Sequence, residues 1–208
     1  MKNILKNHKY ILFFCLFSFI SCSSAQKNTV SKTNLYNAKG EMYLKIGNLK
    51  KAEKYLNQAI AENLYNLDAY KNRGTLYYAM GAFDKALQDF DYVLSYEQDD
   101  STLAAKGALL AATGKYEDAY KTLYEALKIN QSNVSALNSV AGLLFLQGDF
   151  EKAKDIYTIS LSYRTSPEIY LMRSNCYKQL GEQDKADSDY AMYMLLKYGT
   201  GNTAPLEK

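Results

Sequence analysis

Apolar residues recur along this chain at the spacing of amphipathic helices, and the pattern returns every 33 or 34 residues. In its first occurrence the large residue Tyr36 lies four positions before the small residue Gly40, and Tyr43 follows three positions later. Such a period predicts pairs of helices that cannot bury their apolar faces alone and therefore stack on their neighbours. We expect an all-α fold, an α-solenoid of five helix-turn-helix repeats.

A glycine separates the two predicted helices of every repeat, and an alanine follows it five positions later. Glycine supplies the left-handed backbone that ends a helix at low steric cost. The turn glycines are Gly47, Gly81, Gly114, Gly148 and Gly181, and the alanines are Ala52, Ala86, Ala119, Ala153 and Ala186. A small residue seven positions before each turn glycine predicts close helix approach: Gly40, Gly74, Gly107, Ala141 and Ser174.

Together these positions resemble the tetratricopeptide repeat (TPR), whose pattern runs aromatic, Leu-Gly, Tyr, Gly-x-Tyr, Ala, Phe and Ala over 34 residues. The resemblance covers repeats at about 33–66, 67–99, 100–133, 134–166 and 167–198. It implies about ten antiparallel helices in a right-handed superhelix. The chief departure is at the family's leucine, which here is Lys39, Arg73, Lys106, Val140 and Arg173.

Two of these basic residues have an acidic residue sixteen positions later. Asp89 follows Arg73, and Asp189 follows Arg173. We interpret both as ion pairs between the two helices of one repeat. The alternative is an arginine that receives a ligand carboxylate.

The N-terminus has the features of an export signal over residues 1–21. Three lysines precede an apolar run from Tyr10 to Ile20, and small residues follow. The run would span only about 16 Å as a helix, short of the ~30 Å bilayer core, so a permanent membrane span is disfavoured. Phe19-Ile20-Ser21-Cys22 resembles the lipobox of bacterial lipoproteins and predicts acylation of Cys22. Alternatively, cleavage after Ala25 leaves a free chain.

Residues 22–33 are polar and without a period, which predicts a flexible spacer between a lipid anchor and a TPR domain at 34–198. Removing residues 1–21 takes three lysines and no acidic residue, so 25 basic residues become 22 against 22 acidic ones. A neutral mature chain argues against sequence-independent nucleic-acid binding. Of the cysteines, only Cys176 lies within the repeats, and we expect it to pack as a small apolar residue.

The fifth repeat is predicted to begin at Ser166-Pro167-Glu168, an N-cap followed by proline and an acidic residue. Residues 199–208 form a short C-terminal tail. Tyr193, Met194 and Leu196 therefore predict an exposed apolar edge, which either joins a second copy in a homo-oligomer or is covered by the tail.

The residues that catalysis would need are sparse. His8 is the only histidine, and it leaves with the signal, which excludes Ser-His-Asp and Cys-His catalysis and histidine metal sites. The acidic pairs Asp89 with Asp91 and Asp99 with Asp100 are expected to face solvent or cap turns. We predict no enzyme activity, no cofactor and no metal.

The resemblance implies a concave groove lined by the first helix of each repeat. The residues carried onto it are Asn37, Glu41, Lys71, Asn72, Thr75, Tyr78, Asn138, Phe145, Asn175 and Lys178. Repeat three contributes almost only small residues, including Ala104, Ala105, Ala108 and Ala111. These alanines indicate either a slot for a partner's helix or close packing of good helix formers.

The function predicted from these features is a protein–protein interaction scaffold or adaptor in the bacterial cell envelope. It would be anchored by lipid, with the outer membrane favoured and the TPR domain in the periplasm. Its partners would be envelope proteins, and it would bind no nucleic acid. Tyrosines outside the repeat positions, such as Tyr65, Tyr92 and Tyr124, suggest the alternative of a glycan- or peptidoglycan-fragment-binding module.

Overall fold

The computed structural model describes residues 32–199, which are helical apart from turns and short loops and contain no strand. Ten helices follow one another in this range: α1 (32–45), α2 (Leu49–Glu62), α3 (Leu67–Ala79), α4 (Phe83–Leu94), α5 (Asp100–Ala112), α6 (Tyr116–Ile129), α7 (Val134–Leu146), α8 (Phe150–Tyr163), α9 (Pro167–Gln179) and α10 (Gln183–Tyr198). The predicted all-α fold is confirmed.

Several N- and C-terminal predictions fall outside the described residues. These are the signal peptide, Cys22, most of the spacer and the tail from residue 200. α1 begins at residue 32, so the structure differs from the predicted spacer by two residues. The reason is that Thr33 is buried and therefore belongs to the packed first repeat.

The helices form two compact blocks, an N-terminal block of residues 32–89 and a C-terminal block of residues 90–199. In the N-terminal block, one apolar cluster contains Ala52, Leu56 and Leu76, and another contains Ala59, Ile60 and Ala69. In the C-terminal block, a larger cluster draws buried residues from α5, α6, α7, α8 and α9, including Leu103, Leu123, Leu144, Tyr157 and Cys176. Each cluster consists mainly of the recurring apolar positions.

The turn glycines adopt the backbone conformation that the sequence predicts. Their φ angles range from 72° at Gly81 to 83° at Gly148. In repeat three, the turn is closed by the Lys115 N–H, which donates to the Leu110 carbonyl at 2.9 Å. Only glycine reaches such φ values without strain, so these residues serve the turns.

The small residues of the first helices allow close packing, as predicted. A Cβ atom added to Gly40 would lie 2.5 Å from Leu56 Cγ, and one added to Gly107 would lie 2.6 Å from Leu123 Cγ. In repeat five the Ser174 hydroxyl donates to the Ala186 carbonyl at 2.8 Å. Two helices of a repeat thus meet at positions where a longer side chain does not fit.

The start of α9 differs in one detail from the predicted cap. Ser166 occupies the N-cap position and Pro167 the first helical position, but the serine side chain caps no backbone N–H. Its hydroxyl instead donates to Glu168 Oε2 at 2.5 Å. In donating to this carboxylate, the side chain takes an orientation in which its oxygen accepts no N–H of the helix end.

Candidate binding face

The predicted groove residues lie on α1 and α3 in the N-terminal block and on α7 and α9 in the C-terminal block. We call these sides of the odd-numbered helices the first-helix faces. In the N-terminal block, Asn72 Nδ2 donates to Asn37 Oδ1 at 3.0 Å, and both residues are half-buried. A hydrogen bond between two predicted groove residues thus joins repeats one and two.

The other groove residues of the N-terminal block also have contacts within the protein. Glu41 pairs with Lys45 at 2.7 Å, and Lys71 lies 3.4 Å from Asp68. The Thr75 hydroxyl donates to the Lys71 carbonyl at 3.0 Å. The Tyr78 ring lies 5.9 Å from that of Phe83 and remains exposed.

In the C-terminal block the groove residues occupy α7 and α9. Asn138 Oδ1 accepts the Ser160 hydroxyl at 2.7 Å, while the Phe145 ring lies 5.1 Å from Phe150 in an edge-on arrangement. The Lys178 ammonium lies 5.4 Å from the centre of the Tyr190 ring. Asn175 is half-buried on the same helix.

A cleft of about 290 Å³ opens on this face between α7 and α9. Its walls come from the first helices of repeats four and five, and its base includes a residue of α8. The lining residues are Asn138, Ser139, Tyr157, Glu168, Ile169 and Met172. Polar groups and apolar side chains thus converge on one concavity, which is the general form of a ligand site.

The predicted groove set includes Asn138 of this lining but neither Tyr157 nor Ile169. The period identifies Tyr157 as a core residue of the second helix, and it is indeed almost fully buried. Burial raises its pKa to about 12. The sequence carries no signal for its place at the cleft, since even the neighbouring Gly142 would accept a Cβ at an ordinary contact distance of 3.9 Å from Tyr157 Oη.

The two predicted arginine–aspartate pairs are both formed, and both are bidentate. Arg73 contacts Asp89 through Nε and Nη2, each at 2.8 Å. Arg173 contacts Asp189 through the same two nitrogens at 2.7 and 2.8 Å. The hydrogen bonds that each arginine donates to its aspartate raise the pKa of the arginine above its ordinary value, although burial opposes this. Each guanidinium group is therefore already paired with a carboxylate of the protein itself.

Each arginine also contacts the second helix of the preceding repeat, which the sequence did not predict. Arg73 Nη1 donates to Asn57 at 2.8 Å, and Arg173 Nη1 donates to Thr158 at 3.1 Å. Lys106, at the equivalent position of repeat three, contacts Asp91 at 2.7 Å. At the position of the family's leucine, the two arginines thus each join three helices, whereas Lys106 joins two.

The acidic pairs considered for acid–base chemistry have structural roles. Asp89 is buried against Arg73, which corrects the expectation that it faces solvent or caps a turn, whereas Asp91 is exposed as expected and pairs with Lys106. Asp99 does cap α5, since it accepts the Thr102 N–H at 2.8 Å. Asp100 accepts hydrogen bonds from Asn130 at 2.7 Å and from Asn133 at 2.8 Å.

The small residues of α5 have a packing role. Ala104 is buried, and Ala111 packs against the core of the C-terminal block. Of the two interpretations of these alanines, the structure thus favours close packing at Ala104 and Ala111. Cys176 is buried as predicted, and burial raises the pKa of its thiol to about 11.

Neither a cluster of metal ligands nor a membrane-spanning helix is found within residues 32–199. In that range, His, Cys, Asp and Glu side chains nowhere gather in threes in a way that would hold a metal ion. None of the helices described combines the length and apolar character needed to cross a membrane.

Comparison with protein families gives two matches. Family models of the tetratricopeptide repeat match residues 37–101 and residues 167–191. Tetratricopeptide repeats are present in this chain. The matches lie in both blocks and include the ion-paired repeats two and five. Arrays of such repeats serve as protein–protein interaction scaffolds.

Curated relatives share the TPR region over part of their length. DnaJ homolog subfamily C member 3 of Gallus gallus is 30% identical over 174 residues, which cover 76% of this chain and 35% of that protein. A TPR repeat-containing protein of Methanocaldococcus jannaschii is 27% identical over 189 residues, covering 70% of this chain and 33% of that protein. The chain thus spans about a third of the length of these relatives.

Solved structures support the fold. The Pseudomonas aeruginosa protein pilF gives a TM-score of 0.71 at 20% identity, covering 84% of this chain and 79% of that one. A chain of the APC/C hetero-tetramer Cut9-Hcn1 gives a TM-score of 0.75 at 16% identity, covering 80% and 34%. At these identities the likeness concerns the TPR fold alone.

Proposed function

We propose that this protein is a non-enzymatic scaffold or adaptor of the bacterial cell envelope, which holds a segment of a partner protein on its first-helix faces. The observation that carries this proposal is the cleft between α7 and α9. It combines the amide of Asn138 with apolar surface from Ile169 and Met172, and these groups suit a peptide with both backbone and side-chain contacts. The internal pairing of Asp89, Asp91, Asp99 and Asp100 supports a role without catalysis.

The proposed location rests on residues 1–33. Acylated Cys22 would anchor the chain, with the outer membrane favoured, and the spacer would hold the repeats roughly 18 Å from the membrane in the periplasm. Mass spectrometry of the mature N-terminus and palmitate labelling test this. We expect a lipid-modified Cys22 and loss of label in Cys22→Ser. An unmodified chain that begins at Gln26 contradicts the anchor.

A pull-down from envelope extract with the mature protein tests the scaffold. We expect a protein that the wild type retains and that the double variant Asn138→Ala with Asn175→Ala loses, because both amides lie on the first-helix face. Tyr163→Ala, on the exposed surface of the second helix of repeat four, is the control and is expected to retain the partner. Equal capture by all three proteins excludes the first-helix face as the binding surface.

A specific observation supports glycan binding as the second candidate. A wider cleft of about 700 Å³ is lined by Tyr116, Tyr120, Gln147 and Asp149, together with other residues of α6 to α8. Both tyrosines are exposed, and aromatic faces stack on sugar rings. Retention of the protein on insoluble peptidoglycan, with loss in Tyr120→Ala, would favour this candidate.

The C-terminal repeat carries the proposed homo-oligomer contact. Leu196 is exposed on α10, as are Leu195 and Tyr198, whereas the predicted edge residues Tyr193 and Met194 are half-buried. Light scattering at micromolar concentration tests self-association. We expect a mass above the monomer that Leu196→Lys reduces, and a monomeric mass for the wild type contradicts the proposal.

A further inference from the structure

The lining of the cleft between α7 and α9 is negatively charged. Its lining contains a single ionised side chain, the carboxylate of Glu168, and no basic one. The Ser166 hydroxyl donates to this carboxylate and lowers the pKa of Glu168, so the group is negative at neutral pH. Lys197 also acts on Glu168 electrostatically, but it is exposed and lies outside the lining. The cleft therefore favours a cationic occupant.

The Tyr157 hydroxyl has no hydrogen-bond partner within the described residues. The residue as a whole is 3% exposed, and no hydrogen bond contributes to its raised pKa. Its oxygen is not among the fully buried, unpartnered polar atoms of those residues, so it reaches the open space of the cleft. Since Tyr157 lines the cleft, a group that enters it can supply the missing partner.

Asn138 presents a hydrogen-bond donor to the cleft. Its amide oxygen accepts the Ser160 hydroxyl, which fixes the orientation of the side chain. The amide nitrogen remains as a donor at the wall of the cleft, where the backbone carbonyl of a bound peptide is a suitable acceptor. The site thus offers a donor for backbone next to acceptors for a side chain.

The volume and the lining indicate one long side chain. About 290 Å³ lies at the lower end of the range for ligand sites, which is small for a drug-sized molecule. Ile169 and Met172 provide apolar surface, while the Glu168 carboxylate and the Tyr157 hydroxyl provide acceptors. Lysine and arginine match this combination, because each has an apolar stem and a cationic head.

We propose that the cleft binds a lysine or arginine side chain of the partner segment, with the stem against Met172 and Ile169 and the cationic head on Glu168 and the Tyr157 hydroxyl. The inference rests on the proposed scaffold function and names the chemistry that its partner presents. Glu168 is then the residue that determines specificity, and Asn138 holds the adjoining backbone.

Methyl-detected NMR of protein labelled at methionine and isoleucine tests the inference directly. The probes are the Nα-acetyl methylamides of lysine, arginine, norleucine and glutamate, together with N-acetylglucosamine. We expect saturable shifts of the Met172 and Ile169 methyl signals with the lysine and arginine probes. Glu168→Gln should weaken their binding about tenfold, and Tyr157→Phe should weaken it less. Glu125→Gln, on the exposed surface of α6, should leave it unchanged.

Each contrary result overturns the inference and indicates what the cleft binds instead. Equal shifts with norleucine mean an apolar site, shifts with glutamate mean an anion site, and shifts with N-acetylglucosamine alone mean a sugar site. If no probe shifts the methyl signals while the Asn138-dependent pull-down still succeeds, the inference fails and the scaffold function stands. If the pull-down fails but the lysine probe binds, the scaffold function fails and the cation site remains.

Discussion

Repeats four and five join their two helices by different chemistry at the same two positions. In repeat four, Val140 is buried in the apolar cluster of the C-terminal block and Ile156 packs against that cluster. In repeat five the equivalent residues are Arg173 and Asp189, whose side chains retain only 17% and 8% of their exposure. One backbone arrangement therefore accepts either an apolar or an ionic contact.

The difference shows that the ionic contact is stable only when both charged residues are present. A charge pair taken out of water gains little net stability, because desolvation offsets the attraction, but a single remaining charge is costly. Arg173 has Asp189 on one side, Thr158 on another and the rings of Tyr170 and Tyr177 at 5.6 and 5.9 Å. The apolar version in repeat four has no such requirement.

Removing the acid from repeat five should have the largest effect on stability. Asp189→Ala leaves a nearly buried guanidinium without its carboxylate, and we expect a loss of about 3–5 kcal/mol in the free energy of unfolding. Urea denaturation followed by circular dichroism measures this loss. Asp187→Ala, on the exposed side of the same helix, is the control, and an equal loss there would contradict the ion-pair account.

A hydroxyl placed in the core of repeat four should lower the free energy of unfolding by a smaller amount. Val140→Thr keeps the side-chain shape but places a hydroxyl among apolar neighbours, and we expect a loss of about 1–3 kcal/mol. The same denaturation experiment applies, with the exposed Ile159→Thr as control. Wild-type stability in Val140→Thr would show that repeat four tolerates polarity as repeat five does.

Alkaline pH should act on repeat four through Tyr157, at the position that Tyr190 holds in repeat five. Burial raises the pKa of Tyr157 from 10 to about 12, so the folded state holds this proton more tightly than the unfolded state. Its contribution is complete below pH 10 and is lost as the pH rises through 12. By pH 11, the stability of Tyr157→Phe relative to wild type should rise by about 1 kcal/mol. The same comparison at neutral pH is the control, and no relative gain in Tyr157→Phe at alkaline pH would refute the shift.

Converting repeat five to the chemistry of repeat four should have the smallest effect. In the double variant Arg173→Met with Asp189→Leu, no charge is left unpaired, and we expect stability within about 1 kcal/mol of wild type. Comparison with Asp189→Ala forms the essential test. A double variant as unstable as Asp189→Ala would mean that the arginine is needed for reasons other than its charge.

The sequence allowed prediction of those features that lie within one repeat. The glycine turns, the close approach at Gly40 and Gly107 and the pairing of Arg73 with Asp89 each join positions at fixed separations, so the period alone determines them. The face that carries Asn37 and Asn72 followed from the family resemblance. Whether these residues bind a partner remains a prediction.

Contacts between repeats were harder to predict. Lys106 pairs with Asp91 of the preceding repeat, and the period does not indicate which of several nearby acids a flexible lysine reaches. The cleft depends on the direction of the Tyr157 side chain. That direction results from packing in three dimensions, and the pattern of apolar positions assigns Tyr157 only to the core.

The contact between Arg173 and Thr158 bears on how the array unfolds. In a linear repeat protein, stability is approximately a sum of terms for single repeats and terms for neighbouring pairs. Because one guanidinium bonds within repeat five and also to repeat four, it contributes to both kinds of term at once. Repeat five is thereby coupled to repeat four. If repeat five unfolds, Arg173 loses its hydrogen bonds to Asp189 within that repeat and its hydrogen bond to Thr158 of repeat four.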